Sequence, residues 1–176
     1  MRRALLTRPG ASPLTLRAGN EPLNGNGTTS LWNERLLIEF TNLAYTTGTV
    51  IREARINFTP GVAGNVMAFL ASYTLDLDWF PIFQVVATTP QVAVSNGGGV
   101  ATLPFTSPFT IPADQNGNGY AVGFHTTGTS NYVRITSSTG TTYRTNYSGG
   151  TTPPSVGSTF NYVSFANEAM SLGAWG

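Results

Sequence analysis

From Leu31 onward, apolar and polar residues alternate with a period of two over short stretches, the pattern of strands with one buried face. Trp32, Leu36, Ile38 and Phe40 share one side, with Leu37, Glu39 and Thr41 on the other, and a Thr-Thr-Gly turn follows at residues 46–48. Val50, Ala54, Ile56 and Phe58 then alternate with Ile51, Glu53, Arg55 and Asn57, while Arg52 interrupts the inward face. Residues 66–74 are apolar on both sides, which predicts a central strand. Over residues 75–87, Leu75, Leu77 and Trp79 lie opposite Asp76 and Asp78 until Pro81 imposes an edge or a bulge.

The plainest unit is residues 109–124, FTIPADQNGNGYAVGF. An extended run meets the turn-forming DQNGNG, and Tyr120, Val122 and Phe124 then alternate with Ala121, Gly123 and His125. This grammar predicts a β-hairpin with His125 on its outward face. Residues 131–137 and 141–147 predict two more strands joined by a Ser-Thr-Gly turn, and residues 160–165 predict another after a Gly/Pro-rich loop. The tail NEAMSLGAW fits a last strand or one helical turn. Roughly eight to ten strands at this spacing predict an all-β protein, read as an antiparallel two-sheet β-sandwich with jelly-roll-like connectivity rather than a closed barrel.

Residues 1–30 break the pattern. They carry Arg2, Arg3, Arg8 and Arg17, no acidic residue before Glu21, and several prolines and glycines. Such a segment buries too little surface to order itself, so an extended N-terminal arm (1–30) is expected to precede the sandwich (31–176). As a docking element, it would set Arg2, Arg3, Arg8 and Arg17 against carboxylates or backbone carbonyls. Leu5, Leu6, Leu14 and Leu16 would fill shallow apolar contacts.

Composition narrows the function classes. Charged residues make up 10% of the chain, far below the ordinary ~25%, so its surface is neutral and polar. The net charge of +1 supplies no drive toward nucleic acid or an anionic membrane, and neither is expected as a partner. Without cysteine there is no disulfide, thiolate metal site or thiol nucleophile. Thr7, Arg8 and Pro9 interrupt the apolar run of MRRALL, so a cleavable signal is not expected.

No GxSxG, HExxH or Walker motif is present, and no catalytic residue is assigned. Asp76 and Asp78 would share a strand face, but paired glycosidase carboxyls come from separate elements across a cleft, so a solvated face is expected. Residues 114–119 match the first half of a calcium loop, yet its twelfth position, where a bidentate Glu belongs, is His125. A turn built on Asx hydrogen bonds is expected there, with no metal and no cofactor. Tyr132, Tyr143 and Tyr147 form a candidate stacking platform for a surface glycan, or ordinary cross-strand aromatic pairs.

An arm followed by a Thr/Asn/Gly-rich sandwich, free of cysteine and poor in charge, resembles a phage virion protein. PFTIPADQNGNGYAVGF resembles a pattern of head-fibre and tail-fibre β-sandwiches, in which an apolar-Pro run ends in a Gly turn and a Tyr-x-x-Gly-Phe strand. YRTNYSGGTTPPSVGSTFNYVSF is similar to their loop and last strand. The likeness spans residues 103–165; here Pro112-Ala113-Asp114 replaces the usual Pro-Ala-Gly turn, with glycines displaced to Gly117 and Gly119. It implies a non-enzymatic capsid decoration or head-fibre protein of the virion. Such a protein would be homotrimeric and would dock through its arm on the major capsid protein. A tail-fibre receptor-binding or carbohydrate-binding module, with a host surface glycan as partner, is the alternative. Aromatics such as Trp32, Trp79 and Trp175 are expected at subunit contacts.

Overall fold

The computed structural model describes residues 14–19, 29–30, 36–40, 47–58, 64–78, 80–94, 99–113, 119–127, 132–133, 135–137, 141–145, 152–166, 169–170 and 172–176. Fifteen strands and no helix occur among them: β1 (Leu16–Gly19), β2 (Thr29–Ser30), β3 (Leu36–Phe40), β4 (Val50–Phe58), β5 (Gly64–Leu75), β6 (Pro81–Thr88), β7 (Val92–Val94), β8 (Gly99–Thr110), β9 (Tyr120–Thr126), β10 (Tyr132–Val133), β11 (Ile135–Ser137), β12 (Thr141–Thr145), β13 (Thr159–Ala166), β14 (Ala169–Met170) and β15 (Leu172–Trp175). The all-β expectation holds, and the tail forms a strand.

Every pairing among the described residues is antiparallel. A first sheet runs β1-β15-β4-β10-β2, with β8 on the other edge of β4, and β11 and β14 form a small separate pair. The second sheet runs β6-β13-β12-β3-β9-β5-β7, and β6 also pairs with β5. Six of its strands therefore form a closed ring of pairings, in place of the open sheet expected.

Ring closure explains why β9 is buried along all seven residues. Alternate positions feed two cores. Val66, Ala68 and Leu70 of β5 and Val122 and Phe124 of β9 pack with Ile51, Ala54 and Ile56 of β4, Leu103 and Phe105 of β8, and Leu172 and Ala174 of β15. Phe69 and Ala71, Ala121, Phe83, Val85 and Phe160 form a second cluster on the opposite face of the ring. There the Phe69 and Phe160 rings lie 5.9 Å apart, although their strands are separated by β6. His125 falls on this second face, fully buried and in register with Leu36 and Met67. The expected outward histidine is thus an inward one, because both faces of β9 are covered.

The expected 109–124 hairpin is not formed. β8 pairs with β4 in the first sheet, whereas β9 pairs with β3 and β5 in the second. The turn-rich segment carries the chain between layers. Its ends are fastened by Gly48 N–H to the Ile111 carbonyl and Ile111 N–H to the Thr49 carbonyl, both 2.9 Å, and by the Phe109 and Tyr120 rings 5.5 Å apart. β4 is the one neighbour of β8 among the described residues. This edge position lets β8 carry Pro104 and Pro108 without breaking a second ladder.

Among the described residues of the 131–137 and 141–147 stretches, no pairing joins the two either. β12 has β3 and β13 on its two edges, β10 joins β2 and β4, and β11 joins β14. The expected arm of residues 1–30 contributes two strands to the first sheet: β1 pairs with β15 and β2 with β10. Thr15 and Gly176 exchange backbone hydrogen bonds of 3.0 and 3.1 Å, so the chain is integrated into the sheet by that point.

Candidate functional site

Between β5 and β6 the described residues are Asp76, Leu77, Asp78 and Phe80, with a turn at Leu77 and Asp78. One Asp76 carboxylate oxygen, Oδ1, accepts the N–H groups of Asp78 (2.9 Å) and Phe80 (2.8 Å). The Asp76 N–H donates to the Phe80 carbonyl at 2.9 Å. The aspartate thus templates its own turn. Pro81, the first residue of β6, fixes the exit, and it is paired with Leu75 across the hairpin. On this pinned turn Leu77 is 99% exposed, with Phe80 at 46% and Leu75 at 37%. Single exposed apolar residues are ordinary. Three large ones within six positions, beside the exposed Asp76 and Asp78, make a presented apolar tip.

A cleft of about 260 Å³ lies between Val86–Thr88 of β6, residues 106–109 of β8 and Val156. Its β8 wall is a register irregularity: Ile51 of β4 is opposite Phe109, but Glu53 is opposite Pro104. Three extra β8 residues are thereby pushed out of the ladder, and residues 106–108 are exposed. The Val156 side is tied to β6, because Gly157 N–H donates to the Val85 carbonyl (2.8 Å) and Val85 N–H to the Ser158 carbonyl (2.9 Å). Ser155 N–H donates to Ser158 Oγ at 3.1 Å, and Gly157 takes a φ of 91° to close the turn. The cleft is lined by apolar Val86, Ala87, Pro108, Phe109 and Val156 together with polar Thr88, Thr106 and Ser107.

Glu53 and Arg55 pair at 2.5 Å, and the Arg55 guanidinium lies 4.8 Å from the Trp175 ring centroid. Trp175 is 2% exposed, which corrects its expected place at a subunit contact; Trp32 and Trp79 lie outside the described residues. Arg52 sits in the irregularity opposite the displaced β8 residues, is exposed, and makes no ion pair among the described residues.

Of the docking residues expected in the arm, Arg2, Arg3, Leu5, Leu6 and Arg8 lie outside the described residues. Leu14 and Leu16 are half-buried, and Arg17 is exposed with its Nε donating to the Gly176 carbonyl at 3.3 Å. Tyr132 belongs to β10 in the first sheet and Tyr143 to β12 in the second, so the backbone does not bring them to one sheet; Tyr147 lies outside the described residues. The same is true of residues 114–118 of the calcium-like stretch, whose twelfth position is the buried His125. Asp76 and Asp78 stand on a turn, not on a strand face. Among the described residues, no three His, Cys, Asp or Glu side chains gather as a metal site.

The tip left a signal in the sequence: an Asp able to cap a turn, followed by Pro81. The cleft left none, since its walls come from two sheets. No protein-family model matches the chain, no curated protein matches its sequence, and no solved structure matches its fold.

Proposed function

We propose that the protein is a non-enzymatic structural component of a phage particle, a capsid decoration or head-fibre protein with a jelly-roll-like sandwich facing outward. It works as a symmetric homo-oligomer, a trimer in the favoured arrangement, and its N-terminal segment meets the major capsid protein. The observation that carries this reading is the pinned turn that holds Leu77 out to solvent on a neutral, charge-poor surface. Apolar groups presented on a rigid β framework serve assembly.

Since Leu14–Gly19 is integrated into the first sheet, the docking segment is residues 1–13, with Arg2, Arg3, Leu5, Leu6 and Arg8. Thirteen residues reach up to about 45 Å when extended. The glycan-binding alternative has less behind it, because Tyr132 and Tyr143 belong to different sheets.

The experiment is co-sedimentation of the full chain, and of a chain lacking residues 1–13, with purified particles. The full chain is expected to occupy the particle, and the truncated chain to keep its β circular dichroism while losing occupancy. Absence of the full chain from particles, or unchanged occupancy after truncation, would overturn the reading. Removing residues 1–30 is the wrong cut, because it also deletes β1 and β2.

A further inference from the structure

We propose that residues 1–13 of the free chain fold back into the β6–β8 cleft of the same molecule, with Leu5 and Leu6 seated against Val86, Pro108, Phe109 and Val156. The contact belongs to the isolated protein and holds whether or not that segment afterwards meets a capsid.

Register sets where the segment starts. Thr15 exchanges main-chain hydrogen bonds with Gly176, and Gly176 lies against the main chain of Val50 and Ile51 in β4. Val50 and Ile51 are in turn opposite Thr110 and Phe109 of β8. Leu14, where residues 1–13 join the described chain, is therefore at the same end of the first sheet as the β8 wall of the cleft. The path β1-β15-β4-β8 crosses three strand spacings, about 14–15 Å at ~4.8 Å each.

Length decides reach. Leu6 and Leu5 precede Leu14 by eight and nine residues, which extend to about 26–32 Å. That is roughly twice the path, and the surplus accommodates a bend at Pro9-Gly10. A connection of so few residues keeps the segment at about millimolar effective concentration beside its own cleft. At micromolar protein the same molecule therefore outcompetes a second copy.

The lining fits this occupant. A cavity of about 150 Å³ accepts the six carbons of benzene, so a cleft of about 260 Å³ has room for the eight side-chain carbons of Leu5 and Leu6. No charged side chain lines it among the described residues, which suits an apolar pair and leaves Arg2, Arg3 and Arg8 in water. Val156, 62% exposed, gains a cover. Thr106 and Ser107 are exposed and have no register partner on β4, so their polar groups can bond the main chain of the segment. The Val156 side is already tied to β6 through residues 157 and 158, and little ordering cost falls on the cleft itself.

Disulfide trapping in the full chain tests the proposal. The sequence has no cysteine, so Thr7→Cys with Ser107→Cys introduces two thiols alone, one beside the leucines and one on the cleft wall. They join only if their Cα atoms come within about 7 Å. Under mild oxidation at micromolar protein, an intramolecular cross-link is expected, identified by peptide mass and by monomer size on a non-reducing gel. Thr106→Cys, on the same wall, is expected to serve equally as the second thiol. The rate is expected to fall at least tenfold when Leu5→Asp and Leu6→Asp are added. It is expected to be at least tenfold lower with Asp78→Cys, exposed beyond the Pro81 end of β6, in place of Ser107→Cys. Unchanged circular dichroism certifies the fold of each variant. Trapping no faster than at Asp78→Cys, or indifferent to the leucine substitutions, would overturn the proposal. So would a cross-link formed only between two molecules, which assigns the segment to the cleft of a second copy. All of these outcomes are read without particles, so failure here leaves the co-sedimentation test standing, and failure there leaves this contact standing.

Discussion

Thr89→Val tests how β5 is held where it changes partners. β5 pairs with β6 as far as Phe69 opposite Thr88, and with β7 from Val66 opposite Val92. Thr89 spans that step. Its N–H donates to the Ala68 carbonyl at 2.9 Å, while its hydroxyl accepts the Ala68 N–H at 3.0 Å and donates to the Pro90 carbonyl at 3.0 Å. Thr89 is 4% exposed and Ala68 fully buried, so water does not replace the hydroxyl at the Ala68 end. Pro90 is exposed, and its carbonyl can be hydrated. Valine keeps the main-chain bond and nearly the shape, but strands one buried N–H, which costs about 1–3 kcal/mol. Thr89→Ser keeps the hydroxyl and loses one methyl group, about 0.8 kcal/mol. In urea, with a slope of ~2 kcal/mol/M, a loss of ~2 kcal/mol lowers the midpoint by about 1 M. The melting temperature would fall by about 4–8 °C, at ~2–4 °C per kcal/mol for a chain of this size. A Thr89→Val midpoint equal to or above that of Thr89→Ser would refute the reasoning, because packing and not the hydroxyl would then govern the step.

Gly119→Ala is expected to cost about 1–3 kcal/mol. Gly119 has a φ of 112°, and a Cβ there would meet Tyr73 Cε1 at 3.2 Å; an unchanged thermal transition would contradict this. Burial pushes the Tyr73 phenol above its ordinary value of 10.0. The unfolded chain therefore releases this proton at lower pH than the native one, so stability is full below about pH 10 and declines as pH rises beyond it. Melting measured from about pH 8 to 11 should show that decline reduced in Tyr73→Phe, and an equally steep fall in that variant would count against it.

The strands were legible where local chemistry decides them. Residues 50–58 and 66–74 carry alternating or doubly apolar patterns, and the structure makes strands of both. Partner choice was not legible, as residues 109–124 illustrate. DQNGNG marks a reversal, but Leu103 and Phe105 find their cover on Ala54 and Ile56, so β8 leaves β9 for another sheet. His125 misleads for a related reason. Polarity alternates along β9 while burial does not, because ring closure covers both faces. At the candidate site, the acid-apolar alternation of LDLDWF mimics an amphipathic strand, and the Asp76 hydrogen bonds that make it a turn depend on a side-chain rotamer that periodicity does not register. Arg52, read as an interruption of the β4 pattern, marks the irregularity beside the cleft.

The order β1-β15-β4 carries a consequence for biosynthesis. Arg17 and Gly176 are 159 residues apart in the chain yet hydrogen-bonded in the sheet. At ribosomal rates of ~5–20 residues per second, β1 waits roughly 8–30 s, and β4 roughly 6–23 s, for the strand that goes between them. Throughout that interval, the flank of β4 that will receive β15 displays unmatched N–H and C=O groups, a template for any strand nearby. On a polysome the nearest strands belong to sister chains at the same stage. Strand exchange between nascent copies is therefore most favoured before residue 175 has been made, and the four residues of β15 convert an open flank into the middle of a sheet.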